Sequence, residues 1–108
     1  MDFKKYQKQS RRTALYPKKL SLIYPTLGLT GESGEVAEKV KKIYRDHQGK
    51  INQKQKEEIK KELGDVLWYL SQIASDLDLD LEDIAETNLA KLFSRKKRGK
   101  LHGSGDNR

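Results

Sequence analysis

The stretch Ile59-Lys60-Lys61-Glu62-Leu63-Gly64-Asp65-Val66-Leu67-Trp68-Tyr69-Leu70-Ser71-Gln72-Ile73-Ala74-Ser75-Asp76-Leu77 reads as one amphipathic helix. Ile59, Leu63, Val66, Leu67, Leu70, Ile73, Ala74 and Leu77 recur at the three- and four-residue spacing that lines one helical face. Its start is marked by Asn52 with Gln55 three residues on, the form of a capping box. Upstream the same period returns in Leu29, Val36, Val40, Ile43 and Tyr44, and that helix ends near Gly49. Leu20, Ile23 and Leu27 begin the pattern earlier, and Pro25 leaves its start open. Asp2 caps a first helix expected to run to about Leu15, with Phe3, Tyr6, Ser10 and Ala14 on one face and Pro17 as the break. Downstream, Asp80 and Asp83 open a fourth helix through Ile84, Leu89 and Leu92 to about Arg98. No strand pattern competes. The expected fold is all-α, a four-helix bundle in one domain over 1–98, followed by a flexible, Gly-rich basic tail over 99–108.

Composition narrows the classes. The chain has 108 residues, 34% hydrophobic and 36% charged, so its core must be thin. Small chains bury a low fraction of their surface, and completion of the bundle by a second copy is expected. No apolar run approaches the roughly 20 residues that cross a bilayer, and the N-terminus lacks an apolar leader, so a cytoplasmic protein without membrane contact is expected. There is no cysteine, which removes disulfides, thiolate zinc sites and a cysteine nucleophile. The net charge of +7 is unevenly spread. Residues 1–20 and 90–108 each carry seven bases and one acid, while residues 21–89 carry nine bases and fourteen acids.

The acids of that centre are placed. At 100° per residue, Glu32 lies about 40° from Val36, almost inside the apolar stripe of the second helix, and Glu35 lies about 100° from it. On the third helix Glu62 lies about 100° and Asp65 about 160° from Leu63, with Tyr69 on the same flank. If the two helices pair as an antiparallel hairpin, these i, i+3 pairs face one another. Four carboxylates in one region raise one another's pKa, and a divalent cation removes the conflict. Oxygen-only ligands suit Mg²⁺, with Mn²⁺ as a substitute, and Mg²⁺ commonly completes its shell with substrate phosphate. Gly31, Gly34 and Gly64 lie in or between the pairs, where a close backbone approach, a substrate across the helix or tight helix packing would each account for them.

The run Gly28-Leu29-Thr30-Gly31-Glu32-Ser33-Gly34-Glu35-Val36-Ala37-Glu38, with Lys61-Glu62-Leu63-Gly64-Asp65-Val66-Leu67-Trp68-Tyr69-Leu70 after it, resembles the MazG-like nucleotide pyrophosphohydrolases of the all-α NTP pyrophosphatase group. Their pattern is EExxE on one helix and ExxD on the next, and Gly31 stands here in place of the first Glu. The resemblance implies metal ligands at Glu32, Glu35, Glu62 and Asp65. It also implies hydrolysis of a nucleoside triphosphate between its α and β phosphates, giving a monophosphate and pyrophosphate. Glu35 or Glu38 would be the general base on the attacking water. Asn88, Lys91 and Arg95, at i, i+3 and i+7, share a face of the fourth helix and match the family's phosphate side, with Arg98 beyond them. Tyr69 is a candidate substrate contact. Trp68 faces a subunit interface or stacks on a base. The family also implies a homodimer or homotetramer.

The competing reading is a basic helical module that binds nucleic acid or a protein partner without catalysis. Arg11-Arg12, Lys18-Lys19 and Arg95 to Arg98 would suit phosphate-backbone contact. No helix-turn-helix or stacking motif supports it, and the acidic centre would repel DNA, so nucleic acid is not the expected partner.

Overall fold

The computed structural model describes residues 1–108 and is helical throughout, with no strand. Its elements are α1 (Phe3–Arg11), a 3-10 turn (Lys18–Leu20), α2 (Ile23–His47), α3 (Gln53–Asp76) and α4 (Leu81–Lys97). No helix is long and apolar enough to cross a membrane.

The helix starts follow their caps. Asp2 accepts from Lys5 N–H at α1, and Asp80 accepts from Glu82 N–H at α4. Asn52 and Gln55 form the reciprocal capping box at α3. Pro25 is accommodated in the first turn of α2, where its missing N–H has no intrahelical acceptor to lose. Gln48 in the left-handed region and Gly49 at φ 79° close α2, and the chain turns straight into α3.

The first helix stops at Arg11 rather than near Leu15. Tertiary partners draw the next residues away. Trp68 Nε1 donates to Thr13 Oγ1 at 2.8 Å, and Tyr16 OH donates to Asp76 Oδ2 at 2.8 Å. Leu22 N–H donates to the same Asp76 oxygen at 2.8 Å. That bond supplies the cap α2 lacks from its own sequence and holds Leu22 at φ 67°. Arg11 Nη2 closes the group on Asp76 Oδ1 at 2.8 Å.

Helices α2 and α3 form an antiparallel hairpin, α1 lies on α3, and α4 meets α1 and the end of α3. The seam between α1 and α3 is polar. Ser10, Ser71 and Gln72 are buried, with Ser10 Oγ in contact with Ser71 Oγ and accepting from Gln72 Nε2, both at 3.1 Å. Gln7 accepts from Leu81 N–H and donates to Leu79 O, tying α1 to the start of α4.

The apolar core is small. Among large or aliphatic residues, Ile43, Ala74 and Leu81 are buried. The α3 stripe is only partly covered, since Ala74 is buried while Leu63 remains 53% exposed. The radius of gyration is 16.8 Å, against the roughly 13 Å of a compact chain near this length. The bundle is therefore open, with apolar faces of α2, α3 and α4 left uncovered.

The tail turns back on α4. Arg95 Nη2 donates to Asp106 O at 2.6 Å, and Arg98 Nη2 donates to Arg108 O at 2.7 Å. Arg108 in turn donates to Lys100 O, Leu101 O and Gly105 O. Gly103 at φ 125° and Gly105 at φ 92° permit the reversal. The sequence offered no periodic signal for this arrangement, because it is built from guanidinium donors and backbone carbonyls.

Candidate active site

The α2–α3 hairpin positions the acids. Glu32, Glu62 and Asp65 each bring a carboxylate oxygen to within 4.8 Å of the others. Glu32 and Glu62 are half-buried and Asp65 is exposed. Burial first, then a hydrogen bond with Glu62, then the charges of Asp65, Glu62 and Glu35 hold the Glu32 carboxyl above the usual carboxylate range. Three carboxylates converging with no imidazole or thiolate fit a hard divalent cation. Lys39 Nζ, on the α2 face seven residues beyond Glu32, lies 3.8 Å from Glu62 and offsets part of the charge.

The sequence reading placed four carboxylates together, and the structure brings three within ligand spacing. Glu35 is exposed and lies outside the trio, close enough for its charge to act on Glu32. Glu38 lies farther round the helix, 2.8 Å from Lys41 and 4.0 Å from Lys42. The hydrogen bond from Lys41 holds the Glu38 carboxyl below the usual range.

A proton and a metal compete for Glu32. Its carboxyl keeps its proton to higher pH than an ordinary glutamate, so the affinity for Mn²⁺ is expected to begin falling on acidification while still above the usual glutamate pKa of about 4.3. Calorimetric titration of Mn²⁺ at a series of pH values measures this. A curve that falls only below the ordinary range would contradict it.

Aromatic rings flank the acids. Tyr69 covers Gly28, where any Cβ would collide with its ring. Burial first, then Tyr24, Glu32 and Asp65, pushes the Tyr69 phenol up. Burial first, then the charge of Asp65, pushes the Tyr6 phenol of α1 up. No atom lies within 4 Å of a Cβ built at Gly31, Gly34 or Gly64, so packing inside the chain does not explain those glycines. Their open faces leave room for something from outside the chain.

The sequence and this geometry point the same way, and comparison with known proteins decides the family. Residues 24–99 match the MazG nucleotide pyrophosphohydrolase domain. The chain belongs to the MazG nucleotide pyrophosphohydrolase family. It is also similar to Gene 37 protein of Mycobacterium phage L5, 49% identical over 109 residues, covering 95% of this chain and 96% of that one. No solved structure matches it.

In this MazG chain the residues expected at the phosphate side stand on α4. Asn88 and Lys91 line a cleft of about 360 Å³ with Asp83, Ile84 and Thr87. Arg95 is 5% exposed, and its guanidinium, like that of Arg98, is engaged by the tail carbonyls. No ion pair joins these residues to the acidic trio. Sequence reasoning missed Lys39, Tyr6, Tyr16 and Tyr24. Lys39 was findable as the residue two turns beyond Glu32. Tyr24 stands on α2 about two turns before Glu32 and was findable in the same way, whereas Tyr6 and Tyr16 lie on separate segments that no local period relates to the acids.

Proposed function

We propose that the chain is a Mg²⁺-dependent nucleoside triphosphate pyrophosphohydrolase that cleaves a ribo- or deoxyribonucleotide between its α and β phosphates. The observation that carries this is the convergence of Glu32, Glu62 and Asp65 in a MazG domain. These three, with Glu35 beside them, would hold the metal. Bound there, Mg²⁺ neutralises phosphate oxygens and lowers the pKa of a water. Glu35 is the better placed general base, because Glu38 is occupied by two lysines. Lys91 and Asn88 would donate to phosphate oxygens, and Lys39, 3.8 Å from Glu62, supplies a counter-charge beside the acids. Tyr69 borders the substrate. Arg95 and Arg98 would join only on release from the tail.

The basic ends support this reading over a nucleic-acid module. Arg11 pairs with Asp76 and Lys4 with Glu82, and Arg95 and Arg98 donate to tail carbonyls, so these four of the fourteen terminal bases are held within the chain.

We also infer a homodimer or homotetramer. Tyr44 is 66% and Phe93 64% exposed, and Leu63, Leu89 and Val40 are open as well. Such a surface on so thin a core is expected to be covered by another copy. Sedimentation equilibrium at micromolar concentration should give at least twice the mass of one chain, and a single-chain mass would count against it.

The direct test is chemical. With Mg²⁺ and a panel of triphosphates, purified protein should release pyrophosphate and the matching monophosphate in equal amounts, and chelation should stop the reaction. Release of orthophosphate instead, or of nothing from any triphosphate, would sink the proposal.

A further inference from the structure

The far half of α4 is bare except at one residue. From Glu86 to Lys100 every side chain is exposed but Arg95, which is 5% exposed. The bonds that tie α1 to α4 lie at the other end, at Leu81 and Glu82. The cover over Arg95 comes instead from residues 99–108, where Gly105 O and Asp106 O accept from its Nη2.

Three guanidiniums hold this reversal together. Arg95 donates to Asp106 O at 2.6 Å and Arg98 to Arg108 O at 2.7 Å. Arg108 donates to Gly105 O at 2.8 Å, Leu101 O at 3.0 Å and Lys100 O at 3.2 Å. No ion pair joins any of the three to a carboxylate. Three full charges, one of them buried, therefore share neutral acceptors. A phosphate offers the same donors a negative charge and a bidentate fit that a lone carbonyl lacks. The tail carbonyls are thus acceptors that a phosphate can displace.

We propose that residues 99–108 form a latch that masks Arg95 and Arg98 in the free chain and is displaced by the triphosphate of the substrate. This rests on the reading of those two arginines as phosphate ligands. Both guanidiniums are available only in chains whose tail has let go, so the observed affinity is that of the open form reduced by the open fraction. Arg108 is the pin of the latch, because its side chain ties three carbonyls of the same segment. Gly103, packed beside the Arg108 side chain at φ 125°, makes the reversal in a conformation that L side chains rarely adopt.

Two variants open the latch by different means. Arg108→Ala removes the pin together with one positive charge, whereas Gly103→Val keeps every charge and strains the reversal. Each should bind a non-hydrolysable α,β-imido triphosphate with Mg²⁺, read by calorimetry, about tenfold more tightly than the wild type. A tail that merely lends positive charge predicts weaker binding for Arg108→Ala and no change for Gly103→Val. In the pyrophosphate assay both variants should lower KM and leave kcat unchanged.

The motion has its own readout. The chain has no cysteine, so a nitroxide on Ser104→Cys is a single label. Its spectrum should report an immobilised tail in the free chain. It should report a mobile one after saturation with the imido triphosphate, and in either latch variant without ligand. A label that stays immobilised while the triphosphate binds would overturn the latch and leave the phosphate site standing. So would binding that is unchanged or weaker in both variants, which would make the tail a structural element or a lid that closes on the substrate. A label already mobile in the free chain would remove the latch as well. Failure of the imido triphosphate to bind wild type and variants alike would remove the phosphate reading and this one with it.

Discussion

Asp65→Asn and Glu62→Gln are each expected to lower Mg²⁺-dependent pyrophosphate release by about a thousandfold without unfolding the chain. Each removes a carboxylate from a trio whose oxygens lie within 4.8 Å of one another. Metal-assisted stabilisation of developing charge is worth several kcal/mol, and about 4 kcal/mol corresponds to that factor. Stability should hold or rise, because Asp65 is exposed and both charges press on Glu32. The same substitutions should abolish the thermal stabilisation of the wild type by Mn²⁺, since a ligand that binds only the folded state raises its melting temperature. Full activity in both variants would show that the trio is not the metal centre. Loss of activity accompanied by loss of the fold would show that these acids are structural.

The largest effect on stability is expected at Asp76. Its buried carboxylate accepts from Tyr16 OH and Leu22 N–H on Oδ2 and forms an ion pair with Arg11 Nη2 through Oδ1, each at 2.8 Å. Asp76→Ala leaves the Arg11 charge and the Tyr16 hydroxyl without their acceptor and uncaps α2, at an expected loss of about 3 kcal/mol in urea unfolding. Asp76→Asn keeps the shape and should lose less. The pH dependence follows from the direction of the shift. Burial alone would push this carboxyl up, but the bonds from Leu22, Tyr16 and Arg11 hold it below its usual range. In that window the unfolded chain binds the proton more readily, so acid favours unfolding. The contribution is present above the unfolded value of about 3.9 and disappears as pH falls through the folded value. Asp76→Asn should flatten the acid limb of the stability curve. An unchanged limb would place the acid sensitivity elsewhere.

Asp76 also joins stability to the site. It anchors Tyr16 and the start of α2, and hence the ring cluster of Tyr16, Tyr24 and Trp68. A loss of Asp76 should therefore disturb that cluster before it reaches the acids farther along the hairpin.

Much of the helical layout was legible, and the places where it was not share one cause. The cap at Asn52 and the starts at Asp2 and Asp80 came directly from residues a few positions apart. The end of α1 did not, because Thr13 and Tyr16 leave the helix for Trp68 and Asp76, more than fifty residues away. In the tail, Arg95 and Arg98 meet backbone carbonyls only after the chain reverses at Gly103 and Gly105, a contact that no local period encodes.

The sequence by itself determined that there are four helices, which faces are apolar, and that acids at i, i+3 flank two of those faces. These are local matters, governed by a period of 3.6 residues and by caps within one turn. The tertiary structure alone decided which acids converge. Glu32 meets Glu62 and Asp65, while Glu35 stays outside their 4.8 Å group and Glu38 turns to Lys41. It also decided that rings from the segment after α1, from α2 and from α3 form one cluster. Those outcomes depend on the register and rotation of one helix against another, which no spacing within a single helix encodes.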